Sequence, residues 1–376
     1  MKNITEILGG AQLLLGVSFD LQDVFEEYLS EEQRAFLVLL RLIEEDAPIR
    51  TRLTKSRGRI PYKDQPFFRA AIGKSFLQIP TRERLIDRLR ADANFKRICG
   101  FSRVPSRATF SRRFAAFAQI ALMDQTLNAM VKRHLRGRLI GHILRDCTAI
   151  EAREKPQNKK ADLPMPPKLP RRRGRPRKGQ PKTAKKMTQL AKQARQKASV
   201  SLALLDTQST WGAKKNIQGN IYFWKGYKLH LDVTDMGIPV TAVVTGAKVH
   251  DSQLAIPMEK LTERKICHLY SLMDSAYDAQ EIRTYIATKG RVAIIEGNKR
   301  KGKSGRRLDA AEKQRFKIRT TVERANSYLK DWLLGGKVYV RGIRKVRFHV
   351  MSGVVCLAAV KILQYLVIPR LDARAA

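Results

Sequence analysis

Between Lys155 and Ala198 the chain carries seven prolines and 16 lysines and arginines against one acid, Asp162, a net +15. No regular element tolerates that composition. Each proline removes a backbone donor, and uncompensated like charges repel one another. The tract therefore reads as a disordered basic insert over residues 155–198, with Met187–Lys197 expected to turn helical on binding. Whatever folds here must fold around the insert, from the segments that flank it.

The flanks have different periods. From the start to residue 136 the apolar positions recur at helical spacing: Phe36, Leu37, Leu39, Leu40 and Ile43, then Phe67, Phe68, Ala71, Ile72 and Phe76. Short helices are expected around Arg82–Leu89 and Ala93–Cys99. Pro105-Ser106 opens a longer one bearing Arg107, Arg112 and Arg113. Those arginines suit either a helix-turn-helix or a solvated helix face.

After Gly141 the period changes. Strands are expected at His142–Ile150 (ending near Asp146 and Thr148), Ile221–Val233, Ile238–Thr245, His268–Met273 and Arg291–Ile295. Helices are expected at Ser252–Glu263 and Asp278–Thr288, with a long one from Asp309 to Leu334. Hairpin-linked strands followed by strand–helix alternation predict an α/β domain with a mixed sheet covered by helices. The domains expected are a helical N-terminal region over 1–136, an α/β region over 140–154 and 199–368, and the insert over 155–198.

Composition limits the partners. The full chain of 376 residues has 74 Lys and Arg against 34 Asp and Glu, a net +40, with 43% hydrophobic residues. That is enough apolar content to fold, and far too much positive charge without an anionic partner; nucleic acid is the usual one. Cys99, Cys147, Cys267 and Cys356 form no CxxC pair, which argues against a zinc ribbon or disulfide framework and for a reducing, cytoplasmic setting. The apolar run Val350–Val360 is cut by Lys361 before it reaches membrane-spanning length, so a buried helix is expected and no membrane partner.

Three acids occupy positions where a sheet domain brings carboxylates together: Asp146 on the first strand, Asp274 after the strand His268–Met273, and Glu323 in the final helix. Oxygen ligands without His or Cys suit Mg²⁺ or Mn²⁺. Around Glu323, the residues Phe316, Arg319, Glu323 and Lys330 share one helix face. This stretch resembles the final catalytic helix of the DDE transposases of bacterial insertion sequences, whose pattern is Y-x2-R-x3-E-x6-K, with Phe316 in place of the tyrosine. Asp146-Cys-Thr-Ala-Ile-Glu151-Ala, Lys225-Gly226-Tyr227-Lys228-Leu229-His230, Val249-His250-Asp251-Ser252 and Asp274-Ser-Ala-Tyr277-Asp278 resemble the same family in its order, and Asn94–Phe101 with Thr109–Arg112 looks like its N-terminal domain.

The resemblance implies an RNase H-like catalytic domain in which Asp146, Asp274 and Glu323 are both the catalytic residues and the ligands of two Mg²⁺ ions, with Mn²⁺ as a substitute. Arg319 and Lys330 would meet the phosphate backbone. The partners implied are double-stranded DNA, as element ends and target, and a second copy of the chain in a homodimer on DNA. A DNA-binding factor without catalysis and a nuclease without strand transfer stay open as alternatives.

Glu151 is set apart from Asp146 by the strand period, Asp278 reads as a helix N-cap, and His250-Asp251 as a cap beside an imidazole. Trp224 is expected in the core; Trp211 is undecided. In the insert, Arg171-Arg-Arg173-Gly174-Arg175-Pro176-Arg177 resembles an AT-hook, whose Arg-Gly-Arg-Pro core lies in the narrow minor groove of A·T-rich DNA; a solvated basic linker is the other reading. Lys299–Arg307 is expected to be a DNA-facing loop.

Overall fold

The structure, a computed structural model, describes residues 29–49, 62–154, 187–215, 218–298 and 305–369. The AT-hook-like residues Arg173, Gly174, Arg175 and Pro176, and most of the basic loop before the last helix, lie outside the described residues.

Among the described residues six helices come first: α1 (Glu31–Asp46), α2 (Gln65–Phe76), α3 (Arg82–Ala91), α4 (Ala93–Cys99), α5 (Arg107–Gln119) and α6 (Leu122–Leu135). Their starts are chemically marked. Ser30 and Gln33 form a reciprocal capping box, and Thr81, Asp92 and Ser106 each accept from a backbone N–H in the first turn of the helix that follows. The periodic aromatics point inward, with Phe36, Phe67, Phe68, Phe95 and Phe110 fully buried. On α5, Arg107 and Arg112 are exposed, but Arg113 is tied to Asp64 at 2.7 Å and to the Tyr62 carbonyl. One of the three arginines is thus part of the fold.

The sheet has six strands: β1 (Leu139–Glu151), β2 (Thr210–Lys215), β3 (Ile221–Thr234), β4 (Pro239–Gly246), β5 (Cys267–Met273) and β6 (Val292–Ile295). Along the sheet the order is β2-β3-β1-β5-β6, and β4 pairs with the second half of β3. β1 runs antiparallel to β3 and parallel to β5, which is parallel to β6. This is the mixed, RNase H-like sheet behind a helical region that the sequence predicts. Helices α7 (Gln189–Arg195), α8 (Ala198–Ala203), α9 (Ser252–Thr262) and α10 (Gln280–Ala287) accompany it.

Gly226 explains part of the Lys225-Gly226-Tyr227 motif. With φ at 152° it pairs with Glu151, and a Cβ there would sit 2.2 Å from the Ile150 carbonyl oxygen. Only glycine lets β1 and β3 approach this closely.

Four local expectations change. β1 runs to Glu151, so Asp146 lies within the strand and does not close it. β2 was not expected, because Thr-Trp-Gly-Ala-Lys-Lys lacks apolar alternation; pairing with β3 makes it a strand. The end of the basic tract is helical without DNA: Gln193 donates to the Gln253 carbonyl, and the Lys260 ammonium caps α7 by donating to the Gln193 and Ala194 carbonyls at 2.8 Å each. The final catalytic-type helix is not uniform. It comprises α11 (Ala310–Phe316), a 3₁₀ turn (Lys317–Arg319), α12 (Thr320–Tyr328) and a π turn (Leu329–Leu333).

The last element, α13 (Ile343–Ile362), packs on α1, α2, α5 and α6 on one side and on β4 on the other. The segment Ile343–Val367 is long and apolar enough to cross a membrane, yet 78% of its most apolar window is buried inside the protein. It is the core helix. Through it the N-terminal helices and the inner face of the sheet share one continuous hydrophobic core.

Candidate active site

Strand alternation sorts β1 into two faces. Leu144, Asp146, Thr148 and Ile150 point one way; Arg145 and Cys147 point the other. Asp146 therefore meets α12, where Asn326 Nδ2 donates to its Oδ2 at 3.0 Å. β1 and β5 are parallel neighbours, so Asp274, one residue past β5, is brought to the same end of the sheet. There it caps the 3₁₀ turn Ser275–Tyr277, accepting from Ala276 N at 3.0 Å.

Arg319 joins the acids. Its Nη2 lies 3.8 Å from Asp146 Oδ1 and 3.9 Å from Asp274 Oδ2, and its Nη1 donates to Glu323 Oε1 one turn later. Asp146, Asp274, Glu323 and Arg319 thus form one constellation around a guanidinium. The Phe316 ring lies 5.9 Å from that guanidinium, so the position where the family pattern has tyrosine supports the arginine. The guanidinium contacts all three carboxylates, and their oxygens do not all come within 4.8 Å of one another. Lys330 falls in the π turn, half-buried, and makes no ion pair among the described residues.

Burial pushes the Asp146 carboxyl up to about 6, against the pull of Arg319 and with a further push from the Asp274 charge. Asp274 is raised as well, by burial first, with Arg319 opposing and the Asp251 charge adding. Two desolvated acids side by side call for positive charge.

Two contributors lie outside the set expected from the sequence. Asn326, three residues after Glu323 and on its helix face, orients Asp146, and its own Oδ1 is buried without a partner. The period alone would have flagged it. Lys214 on β2 exerts its charge on both Asp146 and Asp274, and was invisible because β2 itself was.

The other face of β1 carries a buried network of charges. Arg145, fully buried, grips Asp232 through Nε at 2.7 Å and Nη2 at 2.8 Å and reaches Glu259 at 3.2 Å. Beside it, Cys147, His230 and Asp251 bring donor atoms within 4.8 Å of one another, with Lys228 bound to Asp251 at 2.8 Å. Asp251 occupies the N-cap of α9, as expected, but makes no side-chain cap bond; the N-cap of α10 is Ala279 and not Asp278, which binds Arg283 and the Asn298 N–H. Glu151 pairs with Lys337 at 2.9 Å, away from the constellation. Trp224 is buried, while Trp211 is 62% exposed.

Two family models match the chain. Residues 192–359 match the transposase DDE domain, and residues 23–116 match a transposase domain, DUF772. The first covers Asp274, Arg319 and Glu323 and begins after Asp146, within the last residues of the insert. The chain belongs to the DDE transposases of insertion sequences. No curated protein and no solved structure matches it significantly.

Proposed function

We propose that this transposase cleaves DNA at the ends of an insertion sequence and joins the freed ends to a target, with Asp146, Asp274 and Glu323 as its catalytic carboxylates. The observation that carries the proposal is the position of Arg319, whose guanidinium holds these three acids, from two strands and a helix, around one positive charge.

The residues fit divalent metal. The donor set is all carboxylate oxygen, the two raised acids lack sufficient counter-charge, and the unpartnered Asn326 Oδ1 adds a further oxygen beside Asp146. Asp146, Asp274 and Glu323 would hold two Mg²⁺ ions, or Mn²⁺ in their place, which when bound polarise the scissile phosphate and supply an activated hydroxide. Asn326 keeps the Asp146 carboxylate facing the site. Arg319, released from the acids, turns its fixed charge to the phosphate, and Lys330 and Lys214 extend that cationic surface along the backbone. The residues Arg173, Gly174, Arg175 and Pro176 grip A·T-rich minor groove, and two copies of the chain act on paired ends.

The test is a plasmid bearing the element's ends, incubated with Mg²⁺ and either the wild type or Asp274→Ala. Wild type should cleave and join, and the variant should bind but not cut. Binding with no metal-dependent cutting would leave a DNA-binding factor, and cutting without joining a nuclease.

A further inference from the structure

A cavity of about 470 Å³ opens where the N-terminal helices meet α13. Its lining divides into two kinds. One part is cationic, with Lys74, Arg82, Arg153, Arg341 and Lys345; the other is aromatic, with Phe114, Tyr339 and Phe348.

Lys74 is the unusual member. Only 7% exposed, it makes no ion pair among the described residues, and its ammonium has a single hydrogen-bond partner there, His349 Nδ1 at 3.2 Å. An ammonium only donates, so the imidazole is the acceptor and neutral; burial and the Lys74 charge both hold His349 well below its usual range. One acceptor serves one of three N–H donors. Burial lowers the Lys74 ammonium to about 7, with the Glu83 charge opposing, and its charged form lacks an anion in contact with it among the described residues. The one acid on the lining, Glu83, is already held by Arg82 at 2.9 Å, and Arg82 Nε is itself buried without a partner.

We infer that this cavity binds one nucleotide unit, with its phosphate on Lys74 and Arg82 and its base against the aromatic wall. A phosphate supplies the acceptors that both donors lack. A base fits the rest, because Phe114 and Phe348 lie with ring centroids 5.5 Å apart and Tyr339, 43% exposed, stands at the mouth. The volume is in the range of small-molecule sites. A metal cation is repelled by the lining, and a purely apolar ligand would leave Lys74 unpaired.

The unit is either part of a DNA strand or a free mononucleotide. Arg153 stands seven residues past Asp146 along nearly continuous strand, which places the cavity about 20 Å from the carboxylates. A strand held at both would span about six base steps of 3.4 Å.

The experiment needs neither metal nor cleavage, so its outcome is independent of the proposed catalysis. Full-length protein at 0.2 M salt is titrated calorimetrically with dAMP, with deoxyadenosine and with inorganic phosphate. dAMP should bind with unit stoichiometry and more tightly than either fragment, and Lys74→Met should weaken it at least tenfold. Arg341→Ala and Lys345→Ala, exposed changes that leave the buried pair in place, should each weaken it several-fold, and they carry the test if Lys74→Met does not fold. Unchanged dAMP affinity in Lys74→Met, or in both rim variants, overturns the site. Single strands carrying 5-iododeoxyuridine at successive positions identify the source. Crosslinks to Phe114 or Tyr339 that dAMP suppresses assign a DNA strand, and saturable dAMP binding without such crosslinks assigns a free nucleotide.

Discussion

Asn326 Nδ2 donates to Asp146 Oδ2 at 3.0 Å across 180 residues of chain, joining the final helix to the first strand. The bond fixes which oxygen of Asp146 faces Arg319, since Oδ1 is the one 3.8 Å from Nη2. It also ties α12 to the sheet at the level of the carboxylates.

Asn326→Ala should therefore lower the single-turnover cleavage rate by about 10- to 100-fold, the usual cost of losing a group that orients a metal ligand. Affinity for end DNA should stay as in the wild type, and higher Mg²⁺ should recover part of the rate. A wild-type rate at low Mg²⁺ would show that Asp146 needs no such support.

Asp146 sets a second expectation, on pH. Its carboxyl is raised from 3.8 to about 6, chiefly by burial. Between those values the folded protein holds a proton that the unfolded chain has released. Stability from this group is thus full below pH 4 and is lost as pH rises through 6, a loss on the order of 2–3 kcal/mol. Without metal, Asp146→Asn should melt higher than the wild type at pH 7.5, and the gap should shrink at pH 4.5. Adding Mg²⁺ should raise the wild type and leave the variant where it is. A gap equal at both pH values would separate the residue from this electrostatic role.

Arg145 lies on the same strand with the opposite fate. It is 1% exposed, with Asp232 and Glu259 fully buried around it. Burial opposes the Glu259 charge, but the His268 hydrogen bond and the Arg145 and Arg291 charges outweigh it and hold the carboxyl down at about 2. Arg145→Met should cost about 3–5 kcal/mol in urea unfolding, because Asp232 loses its ion-pair partner in the core and Glu259 keeps only Arg291 and His268. Adding Asp232→Asn and Glu259→Gln should return much of that loss. If the single variant unfolded at the wild-type urea concentration, the buried network would contribute little.

The contrast between these neighbours shows what the sequence discloses. Asp146, Asp274, Arg319 and Glu323 were legible because residue type and spacing repeat a family pattern, and the period of the final helix placed two of them on one face. Arg145 was not, since its partners lie 87 and 114 residues away and no local period links them. β2, and Lys214 with it, depends on pairing with β3. The 3₁₀ and π turns that bracket α12 carry no proline or glycine to announce them. The apolar run in α13 was read correctly as buried, but its role as the helix on which both regions pack is a property of the assembled core.

The basic tract supplies the last test, because its two ends are fixed by different means. On the ascending side β1 ends at Glu151 against Gly226; on the descending side the structure is anchored from Thr188 onward, with Thr188 Oγ1 bonded to Glu281 at 2.8 Å and α7 capped by Lys260. Deleting Lys168–Lys186 removes ten cations and leaves these anchoring contacts in place. The melting temperature should not change. Affinity for A·T-rich duplex should fall, and the slope of log affinity against log salt should flatten by up to about nine. Cleavage of a pre-bound end should persist, since no carboxylate ligand is lost. Arg175→Ala alone distinguishes a groove-bound hook from a diffuse contact: the hook loses its A·T preference, whereas a phosphate contact costs about one unit of salt slope on any sequence. Equal loss on A·T-rich and G·C-rich duplexes would leave the tract as a basic linker.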